Sequence, residues 1–320
     1  MGKRALFLFA LLAVVMSMMS QPSYADQPDK HTYLYAVKDV DSLYLDHYVA
    51  PVDGKRPCVL FVFGGGFAKG NRDNKLYIPF FESLTEQGYD VVSIDYRLMI
   101  GRGLQENSEP SMLDFVGLIS NAVNCAVEDM FSATNFLLER ADEWQIDKDM
   151  IITCGSSAGA ITVLQGEYAI CNNLELAKVL PEGFNYGGVI SFAGAVLSLS
   201  GKPQWAQNPA PMLLFHGNSD TFVPFEKAVM FGAGFYGSKY IVEQLAKGDS
   251  PYWFYTVNYG THDMAGTPMY ENRNEIFTFI DDMVRNGRVR QITTVVNDKA
   301  MPKRETKFKV RDYLGVNYLE

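Results

Sequence analysis

Cysteine is scarce in this chain. Four in 320 residues, Cys58, Cys125, Cys154 and Cys171, are too few for a disulfide scaffold. Cys58 and Cys154 lie in apolar runs and read as small core residues. Cys125 and Cys171 lie in helical stretches, where an oxidising compartment could pair them. Positive charge is in deficit too: 28 Lys and Arg face 37 Asp and Glu, a net −9. That balance speaks against a nucleic-acid partner. No internal repeat and no low-complexity linker appears, which leaves no sign of a propeller or solenoid and suits one large α/β domain.

Long apolar runs are also missing, with one exception. Residues 5–19 follow Lys3 and Arg4 and precede Ser23-Tyr24-Ala25. A basic start, a short apolar stretch and small residues at −3 and −1 describe a signal peptide, with cleavage before Asp26. The run is too short for a comfortable membrane span. The expected organisation is a signal peptide at 1–25, a catalytic domain at 26–287 and a basic C-terminal extension at 288–320 packed on that domain. Residues 285–320 hold nine Lys and Arg against four Asp and Glu. The protein is expected to be secreted or periplasmic, without a stable membrane span after cleavage.

What the chain does have is organised around residues 150–164. An apolar run, Met150-Ile151-Ile152-Thr153-Cys154, meets Gly155-Ser156-Ser157-Ala158-Gly159, and a helix-forming stretch follows. Strand, tight small-residue turn and helix are the context of a G-x-S-x-G nucleophile elbow. Ser157 alone fits its centre, because Ser156 would need glycine at position 154. The N–H of Ala158 then points where an oxyanion would form.

Other segments supply what a serine needs. The apolar run at 58–63 leads into Gly64-Gly65-Gly66-Phe67. No G-K-[ST] follows, so a phosphate loop is excluded, while bare N–H groups suit an oxyanion loop. Of four histidines, His31 and His47 precede the sheet core on an edge hairpin. His216 sits at a strand end and is expected to turn into the body. His262 lies in a loop after the last strand, at the carboxyl end of the sheet, and is the better base. Asp220 lies in the preceding such loop and can orient it; Asp263 reads as a solvated loop acid. Ser157, Asp220, His262 is the Ser–Asp–His order of this kind of hydrolase.

With those pieces together, the sequence resembles the α/β-hydrolases, in the esterase and lipase branch of hormone-sensitive-lipase-like and feruloyl-esterase-like carboxylesterases. The matching stretches are FVFGGGF at 61–67, SIDYRL at 93–98, AVEDMFSATNFL at 126–137, CGSSAGA at 154–160, LLFHGNSDTFVPF at 213–225 and GTHDM at 260–264. The resemblance implies an α/β fold, a mostly parallel sheet of about eight strands with helices on both faces. It implies Ser157 as nucleophile, His262 as general base and acid, Asp220 as orienting acid, and N–H donors from Gly65, Gly66 and Ala158. Phe63 stands where the family usually begins its glycine loop with histidine, and Asp129 matches an acid that looks structural. No metal or organic cofactor is implied. The substrate is expected to be a small-molecule or polysaccharide ester. The alternatives are a peptidase of the same fold and a catalytically silent binding protein. Pocket walls are expected from Phe67, Tyr96, Trp205 and Met264. Trp205 would either stack on a sugar or aromatic acyl group or anchor its loop to the body.

Overall fold

The computed structural model describes residues 29–106, 112–230 and 232–308. The stretch read as a signal peptide lies outside them. The chain begins with an antiparallel hairpin, β1 (Asp29–Lys38) and β2 (Asp41–Val49). Then come β3 (Arg56–Val62), α1 (Ile78–Glu86), β4 (Asp90–Ile94), α2 (Met99–Glu106) and α3 (Met112–Arg140). β5 (Ile146–Ser156) leads into α4 (Ala158–Cys171), followed by β6 (Gly188–Phe192), β7 (Ala195–Ser198) and β8 (Met212–Gly217). The last part holds β9 (Lys227–Met230), β10 (Ala233–Gly237), α5 (Ser238–Leu245), β11 (Tyr252–Val257), α6 (Pro268–Glu271), α7 (Arg273–Phe279) and β12 (Gln291–Val296).

Among the described residues nine strands form the main sheet, in the order β1-β2-β4-β3-β5-β6-β8-β11-β12. Only β1 with β2 and β2 with β4 pair antiparallel; the rest of the sheet is parallel. Parallel strands covered by helices on both faces must be apolar on both faces. Accordingly β4, β6 and β8 are buried at every position. Phe61, Phe80, Phe81, Phe192 and Phe215 fill the layers between sheet and helices.

Three segments depart from the sequence reading. The loop expected after Asp95 contains α2. Residues 225–245, read as a broken helix, form β9 and β10 before α5 begins. These two strands join β7 in a small antiparallel sheet, β7-β10-β9. Gly232 and Gly234, at φ +84° and +157°, turn the chain back as a hairpin where a helix could not continue. Residues 291–296, inside the stretch read as a basic extension, pair parallel with β11 as the sheet's ninth strand. All four cysteines are buried free thiols, Cys125 and Cys171 included.

Candidate active site

The elbow begins where β5 ends. Ser157 has φ +52° and ψ −113°, a conformation that costs a non-glycine residue about 1–3 kcal/mol. Its neighbours explain the two glycines. A Cβ on Gly155 would lie 2.3 Å from Gly159 O, and one on Gly159 would lie 1.9 Å from Val62 O. Backbone crosses backbone at both points, so no side chain fits. Ser157 N–H donates to Phe192 O at 2.9 Å, which ties the strained turn to β6.

Three strands deliver three side chains to one place. His262, in the turn after β11, sets Nε2 2.8 Å from Ser157 Oγ. Its Nδ1 lies 2.8 Å from Asp220 Oδ2, in the loop after β8. Asp220 Oδ1 accepts from the N–H groups of Phe222 and Val223 at 2.8 and 2.9 Å. Burial raises the Asp220 carboxyl, yet hydrogen bonds from His216 and His262 outweigh it and hold the group well below the usual carboxylate range. Asp220 is therefore an anion at neutral pH and fixes a proton on His262 Nδ1. That leaves the Nε2 lone pair free to accept from Ser157, the arrangement a serine nucleophile requires. Asp263 is exposed and bound to Thr261 Oγ1 at 2.6 Å, away from this chain of contacts.

The glycine loop lies against the serine. A Cβ on Gly64 would sit 3.2 Å from Ser157 Cβ. Among the described residues, the N–H groups of Gly65 and Gly66 donate to no backbone acceptor. Ala158 N–H belongs to the first turn of α4, where no intrahelical partner exists. In place of the usual histidine, two tyrosines brace the loop. Tyr96 Oη donates to Phe63 O at 3.0 Å, and its ring stacks on Phe63 with centroids 4.5 Å apart. Tyr77 Oη accepts from Gly64 N–H at 3.2 Å. Behind them Arg97 donates from its N–H and Nε to Asp129 at 2.8 and 3.0 Å, so Asp129 holds the chain that carries Tyr96.

The expected pocket walls are placed otherwise. Tyr96, Phe67 and Met264 are 3%, 4% and 6% exposed and belong to the core beneath the site. Trp205 packs edge-to-face on Tyr168, centroids 5.3 Å apart. Tyr168 lies eleven residues past Ser157 along α4, about 16 Å away at 1.5 Å per residue. Trp205 thus anchors its loop at the far end of that helix.

Two residues at the site were not singled out as contributors in the sequence. Phe222 is half-buried and stacks on the His262 ring, centroids 5.0 Å apart and planes 26° from parallel. Ser156, weighed only as a nucleophile, donates to Ala265 O at 2.8 Å and ties the elbow to the turn holding His262. For Phe222 the one available signal was its position two residues after the orienting acid. Ser156 carried none, since its acceptor lies 109 residues away.

Comparison with known proteins agrees with this architecture. The BD-FAE family model matches residues 45–108, the hairpin's second strand through the glycine loop to α2. Gut esterase 1 of Caenorhabditis briggsae is 30% identical over 119 residues, 36% of this chain and 18% of that protein. The chain thus spans under a fifth of that esterase. Esterase 2 of Thermogutta terrifontis in its apo form superposes with a TM-score of 0.57 at 20% identity, over 83% of this chain and 97% of that one. The same esterase phosphonylated by cyclosarin gives 0.57 at 21% identity, over 82% and 96%. The chain has the α/β-hydrolase fold, and the proteins it is similar to are esterases.

Proposed function

We propose that the protein is a serine carboxylesterase that works through an acyl-enzyme. The observation that carries this reading is the unbroken chain Ser157 Oγ, His262 Nε2, His262 Nδ1, Asp220 Oδ2, with both links at 2.8 Å. Ser157 Oγ attacks the ester carbonyl while His262 Nε2 takes its proton. The carbonyl oxygen becomes an oxyanion facing the N–H groups of Gly65, Gly66 and Ala158. Collapse of this adduct breaks the bond to the alcohol, which leaves with the proton from His262. A water, deprotonated by the same nitrogen, then releases the acid and restores the serine. Removing one N–H donor from such a site raises the barrier by about 3–4 kcal/mol.

The Thermogutta esterase is phosphonylated by cyclosarin, a reaction of an activated nucleophile, and Ser157 is arranged for the same chemistry. A fluorophosphonate probe should therefore label the wild-type protein and not Ser157→Ala. Absence of label on a folded wild type would overturn the esterase reading. Residues 1–25 read in sequence as an export signal, and on that reading the ester is extracellular, with an acylated polysaccharide as the substrate class proposed. Release of acetate from acetylated xylan, beside turnover of p-nitrophenyl acetate, tests that step; turnover of the small ester alone would discard the polymer. Intact mass of the mature protein should begin at Asp26.

A further inference from the structure

Asp220 is shared by two histidines. His262 Nδ1 takes Oδ2 at 2.8 Å, and His216 Nε2 approaches the same oxygen at 3.4 Å. His216 is wholly buried on β8. Its Nδ1 lies 2.8 Å from Ser238 Oγ, at the start of α5, and its Nε2 lies 3.2 Å from Val223 O. The proton positions follow from the partners. Nε2 faces a carbonyl and an ionised carboxylate, both acceptors only, so it carries a proton. Nδ1 either accepts from Ser238 or donates to it, with Ser238 passing its own proton to Gly194 O at 3.3 Å. In both states the single Nε2–H faces two acceptors, Val223 O at 3.2 Å, to which it is bonded, and Asp220 Oδ2 at 3.4 Å.

A buried carboxylate oxygen has two lone pairs, and His262 takes only one. Without a second donor the carboxylate would keep an unsatisfied anionic site in a dry pocket. Oδ1 stays held by the Phe222 and Val223 N–H groups, so the freedom gained is a tilt of Oδ2 about that anchor, away from the angle that suits His262. We propose that His216 is a positioning residue for the reaction, its Nε2–H fixing the orientation in which Asp220 steers His262. The proposal rests on the esterase reading for its kinetic consequence. His216 is wholly buried and makes no hydrogen bond to Ser157, so its loss should appear in kcat and not in KM.

His216→Phe fills the space without the donor, and His216→Gln places an amide N–H where Nε2 stood. Expected is a kcat about 10- to 100-fold lower in the Phe variant at unchanged KM, recovered to within about threefold in the Gln variant. The second readout needs no substrate: the downfield proton of the His262–Asp220 hydrogen bond should shift in His216→Phe and return in His216→Gln. That resonance decides the proposal even if no ester is hydrolysed, so its failure is separable from that of the esterase reading. If the Phe variant does not fold, Ser238→Ala, which frees the His216 ring, should lower kcat and move the same proton in the same sense. A lowered melting temperature with wild-type kcat and an unmoved resonance would overturn the proposal. So would equal losses in the Phe and Gln variants.

Discussion

The nucleophile stands on a backbone that favours glycine, so its chemistry and its strain can be separated by substitution. Ser157→Ala removes the hydroxyl and leaves the φ of +52° in place. Its kcat should fall by about three to six decades with little change in melting temperature. Ser157→Gly should be equally inactive and melt higher, because the strain of about 1–3 kcal/mol is relieved. A Gly variant that melts below Ala would remove the strain argument. His262→Ala should abolish turnover with circular dichroism unchanged and a lowered melting temperature, since buried Asp220 loses its donor at 2.8 Å and keeps the Phe222 and Val223 N–H groups. A folded His262→Ala that kept a tenth of wild-type turnover would place the base elsewhere.

Loops and strands, rather than single residues, decide how well the oxyanion N–H groups are held. Phe63 cannot make the bonds that a histidine makes there, and Tyr96 and Tyr77 hold the loop from either side. Tyr96→Phe deletes the bond to Phe63 O and keeps the ring stack. It should lower kcat about tenfold, leave KM nearly alone and cost about 1 kcal/mol of stability. Unchanged kcat in a destabilised variant would make the bond structural only. At this scale the sequence was legible where the signal was local. The elbow, the glycine loop and the strand-end positions of Asp220 and His262 each follow an apolar run. Segments whose form depends on a distant partner were not legible. Residues 225–245 look helical until β10 finds β7, and 291–296 look like tail until they find β11. Trp205 reads as a site residue because its loop follows a strand, but the loop travels along α4 to Tyr168. Tyr96 reads as a wall because it follows β4, whereas its hydroxyl turns under the glycine loop.

Across the whole molecule the sheet is anchored at both ends by buried acids. At the end opposite the serine, Asp90 binds His47 Nε2 and Arg56 Nε, each at 2.7 Å, and His47 stacks on Trp144. Burial pushes the Asp90 carboxyl up, but the bonds from His47 and Arg56 outweigh it and lower it. A folded value below the unfolded one means stability is complete above the unfolded value, about 3.9, and is lost as pH falls through the folded one. Asp90→Asn should therefore cost about 3–5 kcal/mol near neutrality. The gap to wild type should narrow as urea melts are taken to lower pH; a constant gap would refute the assignment. The sheet's outer edge carries the last prediction. β12 pairs with β11 at every position from Tyr252 to Val257, and Trp253 Nε1 donates to Thr294 Oγ1 at 3.0 Å. β11 is the strand that delivers His262. A chain ending at Gly287 would leave β11 as a bare hydrophobic edge, open to pairing with other chains. Such a truncation should melt several degrees lower, aggregate on heating and lose kcat as the His262 turn loosens. A shortened chain with wild-type melting, solubility and kcat would show that residues beyond 287 are an appendage and that β12 supports neither sheet nor site.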